Sequence, residues 1–227
     1  LLGAVGGYQI FLFGQLWIVH KLTGSTLYLG FVGLANALPA IALNMLGGVA
    51  ADRFNRTRLV AITQLFAATV VCVLAIVTVS ELVRPWHVLV VAGLVSGTNA
   101  FNEPARLALY PQLVPEEALM SAVALNSSVW QGSRVVAPAF AGLIIAVFDT
   151  GIALFVAAAG MAFLALMLRG APSVRSETVS RSPFADALEG LRYIRRNTTM
   201  FLLIGMSFFN SFFGMAYMFM MPVFAVD

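Results

Sequence analysis

The sequence predicts an all-α membrane protein, and three observations carry that expectation. Of the 227 residues, 60% are hydrophobic and 10% charged, and the mean hydropathy is +0.92; a soluble core of this size could not hide so much apolar surface. The apolar residues gather into seven runs, at about 1–19, 27–51, 59–79, 86–101, 120–148, 152–168 and 200–226, and most reach the roughly 20 residues that a bilayer-crossing helix needs. The cations are sorted by side. With the amino terminus placed in the cytoplasm, ten arginines (53, 56, 58, 106, 169, 175, 181, 192, 195 and 196) fall inside, and only Lys21 and Arg84 outside. This inside-positive bias sets the orientation.

Each run adds a detail. The first carries Tyr8, Gln9 and Gln15, which can line a cavity. The second ends in Gly47, Gly48, Val49, Ala50, Ala51, Asp52, Arg53, Phe54, Asn55, Arg56, Thr57 and Arg58, a tight loop at the membrane surface. Gly47 and Ala51 leave one helix face small enough for close packing. Asp52 can meet the N–H groups of a neighbouring helix or pair with an arginine, and Asn55 tolerates the left-handed backbone a short reversal often needs. The third run holds Cys72, the lone cysteine, which cannot form an intramolecular disulfide.

The fourth run is expected to be short, stopping before Pro104. It bears a polar stripe of Ser96, Asn99, Glu103 and Arg106 at spacings of three, four and three, with Gly93 and Gly97 allowing a partner helix close. Glu103 and Arg106 either mark the cytoplasmic exit or join Asp52 in a gating cluster. The fifth run aligns Ser127, Gln131, Arg134 and Pro138 on one face. Arg134 lies roughly 21 Å along the helix from Met120 at 1.5 Å per residue. An arginine at that depth needs a water-filled cavity, a carboxylate or an anionic substrate; substrate contact and a structural pair with Glu103 or with another part of the protein both remain open. The sixth run has no charged, amide or hydroxyl side chain and is expected to face lipid.

The segment at 170–197 opens like a flexible linker. Ser182 and Pro183 then make a plausible helix start, followed by Phe184, Ala187, Leu188, Leu191 and Ile194 at helical spacing, which predicts an amphipathic helix on the cytoplasmic leaflet. The seventh run contains Ser207, Asn210 and Ser211. Its aromatic and methionine cluster at 208–221 serves packing or drug contact. Without an initiator methionine, and beginning and ending beside apolar segments, the chain is expected to be part of a longer protein.

Gly48, Asp52, Arg53, Arg56 and Arg58 resemble the loop between the second and third helices of the major facilitator superfamily, with Asn55 and Thr57 standing where the family has glycine and a basic residue. The pattern around Ala137, Pro138 and Gly142 partly resembles that superfamily's antiporter signature, implying close packing and a local bend. Leu22 to Ser25, Pro104 to Ala108, Pro111 to Pro115 and Leu188 to Arg196 are similar to the branch holding siderophore and macrolide exporters. The resemblance implies a six-helix bundle (1–169), a cytoplasmic connector (170–198) and the first helix of a second bundle (199–227). It also implies export of a small organic molecule by proton antiport and alternating access, from a bacterial plasma membrane.

The expected site therefore comprises the loop residues Gly48, Asp52, Arg53, Arg56 and Arg58; cavity residues Gln15, Asn99, Gln131, Arg134 and Asn210; Glu103 and Arg106 for ion pairing or proton coupling; and Pro138 and Gly142 for packing. The partners implied are a small-molecule substrate, protons and membrane lipid, acting on a monomer. A cofactor, a metal and nucleic acid are not expected, because the arginines are dispersed and no Cys/His cluster exists. Enzyme chemistry lacks its groups, since His20 and His87 both sit at non-cytoplasmic helix ends. A retinal protein is excluded by the placement of Lys21, the only lysine. The alternatives that stand are a polar-lined channel and a facilitative uptake carrier.

Overall fold

A computed structural model describes residues 1–170 and 192–214. The chain divides into two compact units, Leu1–Ser176 and Glu177–Asp227. The first contains six helices: α1 (Leu2–Thr23), α2 (Thr26–Arg53), α3 (Arg56–Val79), α4 (Pro85–Leu113), α5 (Leu119–Val147) and α6 (Thr150–Met167). In the second, residues 192–196 are helical, and α7 follows over Thr198–Gly214. Most of the predicted connector helix, and the end of the seventh run beyond 214, lie outside the described residues.

Five of the described helices, α1, α2, α3, α5 and α6 with its following turn, are long and apolar enough to cross a membrane. This is a multi-pass membrane architecture. α4 spans 29 residues and is less apolar because Ser96, Thr98, Asn99, Asn102, Glu103 and Arg106 lie along it. Contrary to expectation, α4 does not stop before Pro104 but runs to Leu113. Proline supplies no N–H to the carbonyl one turn back, here that of Ala100. Gly47 of α2 is set against that same oxygen, where a Cβ would collide with it. Only a glycine lets α2 come this close to α4 at that carbonyl.

Small residues set the other close crossings as well. Gly93 and Gly97 bring α4 against Ala35, Pro39 and Leu43 of α2, as expected. On α1, Gly7 meets the Ala157 backbone of α6, and Gly160 of α6 meets Gly3. α6 packs against α1 and α3 through Ala153, Leu154, Ala157, Ala158, Met161 and Ala165, while Ile152, Phe155, Val156 and Phe163 are exposed. That division suits a helix with an outer face of hydrocarbon.

The helices begin and end where local chemistry directs. Gly24 caps α1 in a left-handed conformation, φ 59°, with its N–H donating to the His20 carbonyl at 2.8 Å. α4 starts at Pro85, and the Arg84 N–H donates to His87 Nδ1 at 3.0 Å. Asp149 caps α6 by accepting the Gly151 N–H at 2.7 Å.

Candidate functional site

The loop between α2 and α3 is two residues long. α2 closes with the Phe54 N–H donating to the Ala50 carbonyl at 2.9 Å. Asn55 does not enter the left-handed region expected of it: with φ −62° and ψ 112° it is the N-cap of α3, and its Oδ1 accepts the Arg58 N–H at 3.1 Å. A helix starting at once needs a capping acceptor more than a tight reversal does. Beneath the loop, Ala51, Val60, Ala105 and Leu109 form a buried cluster, packed on by Leu59, Leu164 and Leu168. The ends of α2, α3, α4 and α6 therefore meet at one point.

Arg56 holds that point. It is buried, with 8% of its surface exposed; its Nε donates to the Ala51 carbonyl and its Nη1 to the Ala108 carbonyl, both at 3.1 Å. Its Nη2 lies 3.6 Å from Asp52 Oδ1. Both carbonyls lie near helix C-termini, where a cation opposes the negative dipole end. The Asp52 side chain is 55% exposed, so water weakens that pair; the carbonyl hydrogen bonds are the firmer part of the link. Arg53 and Arg58 are exposed. A Cβ on Gly48 would meet nothing within 4 Å.

A second group gathers where α1, α4 and α5 approach. Arg106 is buried, and its guanidinium carbon stands 4.9 Å from the ring centre of Trp130, a cation–π geometry. Tyr8 meets the same indole edge-on, with ring centres 6.3 Å apart. Glu103 and Arg134 are both exposed. The Arg134 Nη1 donates to Gln131 Oε1 at 3.4 Å, so two of the three polar residues of the α5 stripe support each other. The adjacent face of α5, about a quarter turn away at 3.6 residues per turn and formed by Ser133, Ala137, Ala141 and Ile144, is the buried one.

The remaining expected residues are dispersed. Gln15 is 1% exposed inside the bundle. Ser96 Oγ donates to the Asn36 carbonyl of α2 at 2.5 Å, and Asn99 lines a small internal cavity. Pro138 lies inside a continuous α5. A side chain at Gly142 would meet nothing within 4 Å, so in this unit Ala137 and Ala141 make the close packing instead. Asn210 is exposed on α7 beside Phe209.

Two residues escaped sequence reasoning. Asn102 is 2% exposed and links α4 to α3 by donating to Thr63 Oγ1 at 2.8 Å; its distance of three from Asn99 was a usable signal. Trp130 gave none, since an indole in an apolar run has many uses.

The profile of the family described as transmembrane secretion effector matches residues 1–227. Macrolide efflux protein A of Streptococcus pyogenes is 29% identical over 93% of this chain and 53% of its own length. The staphyloferrin A transporter of Staphylococcus aureus is 30% identical over 68% of this chain and 39% of its own. The multidrug efflux pump Tap of Mycolicibacterium fortuitum is 28% identical over 85% and 49%. The chain thus spans about half the length of these relatives. No solved structure matches it.

Proposed function

The chain belongs to the transmembrane secretion effector family of major facilitator transporters, and from that premise we propose that it forms part of a proton-coupled exporter of small organic molecules. The cargo is of the drug, macrolide or siderophore type, in keeping with the efflux relatives. Residues 1–169 form the first bundle, 170–198 a cytoplasmic connector, and 199–227 the first helix of a second bundle, in the plasma membrane with a cytoplasmic amino terminus. The protein acts as a monomer. Transport proceeds by alternating access: the two bundles rock, and the Asp52 and Arg56 link at the α2–α3 loop stabilises one of the states.

The observation that carries this reading is the polar group on α4 and α5, exposed at Glu103, Gln131 and Arg134. An arginine at the centre of a membrane helix costs about 2.5–3.5 kcal/mol when it meets hydrocarbon, a penalty avoided if Arg134 faces an aqueous route. With Gln131 beside it, Arg134 offers donors to an acidic or carbonyl-bearing cargo. Glu103 offers a carboxylate to a proton. Asn99, Gln15 and Asn210 contribute as the route opens, Arg106 holds the α4 side, and Pro138 and Gly142 shape the surface of α5.

The test uses the complete protein in vesicles. Glu103→Gln is expected to abolish export driven by an imposed pH gradient while leaving substrate counterflow, which needs no net proton movement. Full gradient-driven export by this variant would move proton coupling elsewhere. Arg134→Ala is expected to raise the KM for export without loss of folded protein; an unchanged KM would remove Arg134 from the route. Conductance at single-channel rates would overturn the exporter reading altogether.

A further inference from the structure

We propose that the six-helix unit contains a built site for an ordered water molecule, held by Asn102 at the centre of the α1, α3, α4 and α6 packing. The cavity there has a volume of about 20 Å³, room for one or two waters. Its wall includes Tyr8, Thr63, Asn99, Asn102, Arg106 and Met161.

The orientation of the Asn102 amide follows from its partners. Thr63 donates its one hydroxyl hydrogen to its own helix, to the Leu59 carbonyl at 2.8 Å with the Val60 carbonyl at 3.0 Å. Toward Asn102, Thr63 Oγ1 can then only accept. The Val60 carbonyl, 3.4 Å from the same amide nitrogen, is an acceptor by nature. Both contacts require the NH₂ end of Asn102, which settles the amide flip that geometry alone leaves open. Oδ1 is therefore turned the other way, buried, and accepts no hydrogen bond from the described residues.

A buried carbonyl oxygen without a donor costs about 1–3 kcal/mol, and the cavity supplies the space for one. The ligand must donate a hydrogen, which excludes a simple anion. The lining carries no carboxylate and includes the Arg106 guanidinium, which disfavours a metal cation. Water meets both conditions, and Thr98, Asn99 and Gln64 on the same wall offer it the two to four partners a buried water takes. Asn102 would then join α3 directly and the rest of the bundle through the water.

The probe is radiolytic hydroxyl labelling of the complete transporter in lipid nanodiscs, in water enriched in oxygen-18 and read by mass spectrometry. Hydroxyl radicals born from a bound internal water mark the side chains touching it. Met161 is 1% exposed yet lines the cavity, so it is expected to take the label, whereas Phe11, buried and lining no such cavity, is not. Ala67→Val narrows the cavity without touching the Asn102 hydrogen bonds and is expected to remove the Met161 label; Asn102→Leu is expected to do the same if it folds. A Met161 as protected as Phe11, or a label that persists in folded Ala67→Val, would overturn the proposal.

Discussion

Arg56→Leu is expected to lower the stability of the complete transporter by about 3–6 kcal/mol, the loss of two hydrogen bonds from a charged donor at about 1.5–3 kcal/mol each. Transport should fall with it. The substitution removes the donors that reach the Ala51 and Ala108 carbonyls and so the hydrogen-bonded link between the ends of α2 and α4. Asp52→Asn is expected to behave differently. With the carboxylate half exposed, its pair contributes at most about 1 kcal/mol, so the melting temperature should barely move. If Asp52 stabilises one transport state, export should nevertheless collapse in that variant. Thermal unfolding in detergent, set beside export in vesicles, separates the two residues. Equal melting of Arg56→Leu and the parent protein would refute the link described for Arg56.

Two adjacent glycines should respond with opposite signs. Gly47→Ala drives a methyl group into the Ala100 carbonyl, a backbone atom that cannot turn aside. α2 and α4 must separate, and overpacking of this kind costs about 1–3 kcal/mol, more where the backbone has to shift. Gly48→Ala meets nothing within 4 Å, and in a helix interior alanine is favoured over glycine by about 0.5–1 kcal/mol. The yield and melting temperature of folded protein should therefore drop for the first variant and hold or rise for the second. If Gly48→Ala keeps its stability but loses export, its close approach belongs to another state of the cycle. A stable Gly47→Ala would contradict the packing at Ala100.

Much of the architecture was legible because a bilayer simplifies the problem. Backbone groups in hydrocarbon must be paired within the segment, so long apolar runs become helices whatever their neighbours are, and α1, α2, α3, α5 and α6 follow the runs closely. The exception at α4 is instructive. Local proline chemistry predicts an end before Pro104, yet the helix continues to Leu113, and the Ala100 carbonyl one turn before that proline packs against Gly47 of another helix. No reading of α4 alone contains that information.

The candidate site divides in the same way. The short loop, the small face at Gly47 and Ala51, and the polar stripe on α5 are periodic or local features and can be read from spacing. Which arginine of the loop is buried cannot, since Arg53, Arg56 and Arg58 are chemically alike; only the position of Ala108 on α4 singles out Arg56. Asn55 likewise changes from a reversal residue to a helix cap once α3 is seen to begin at Arg56.

By itself the sequence determined that this chain is helical and that it belongs in a membrane, because hydropathy acts residue by residue. Tertiary structure alone decided that Arg106 rests on Trp130, that Asn102 reaches Thr63, and that Gly47 rather than Gly48 is pressed against α4. Those contacts depend on how helices distant in sequence rotate and cross, and many rotations bury the same apolar area; hydrogen-bond direction and steric fit select among them.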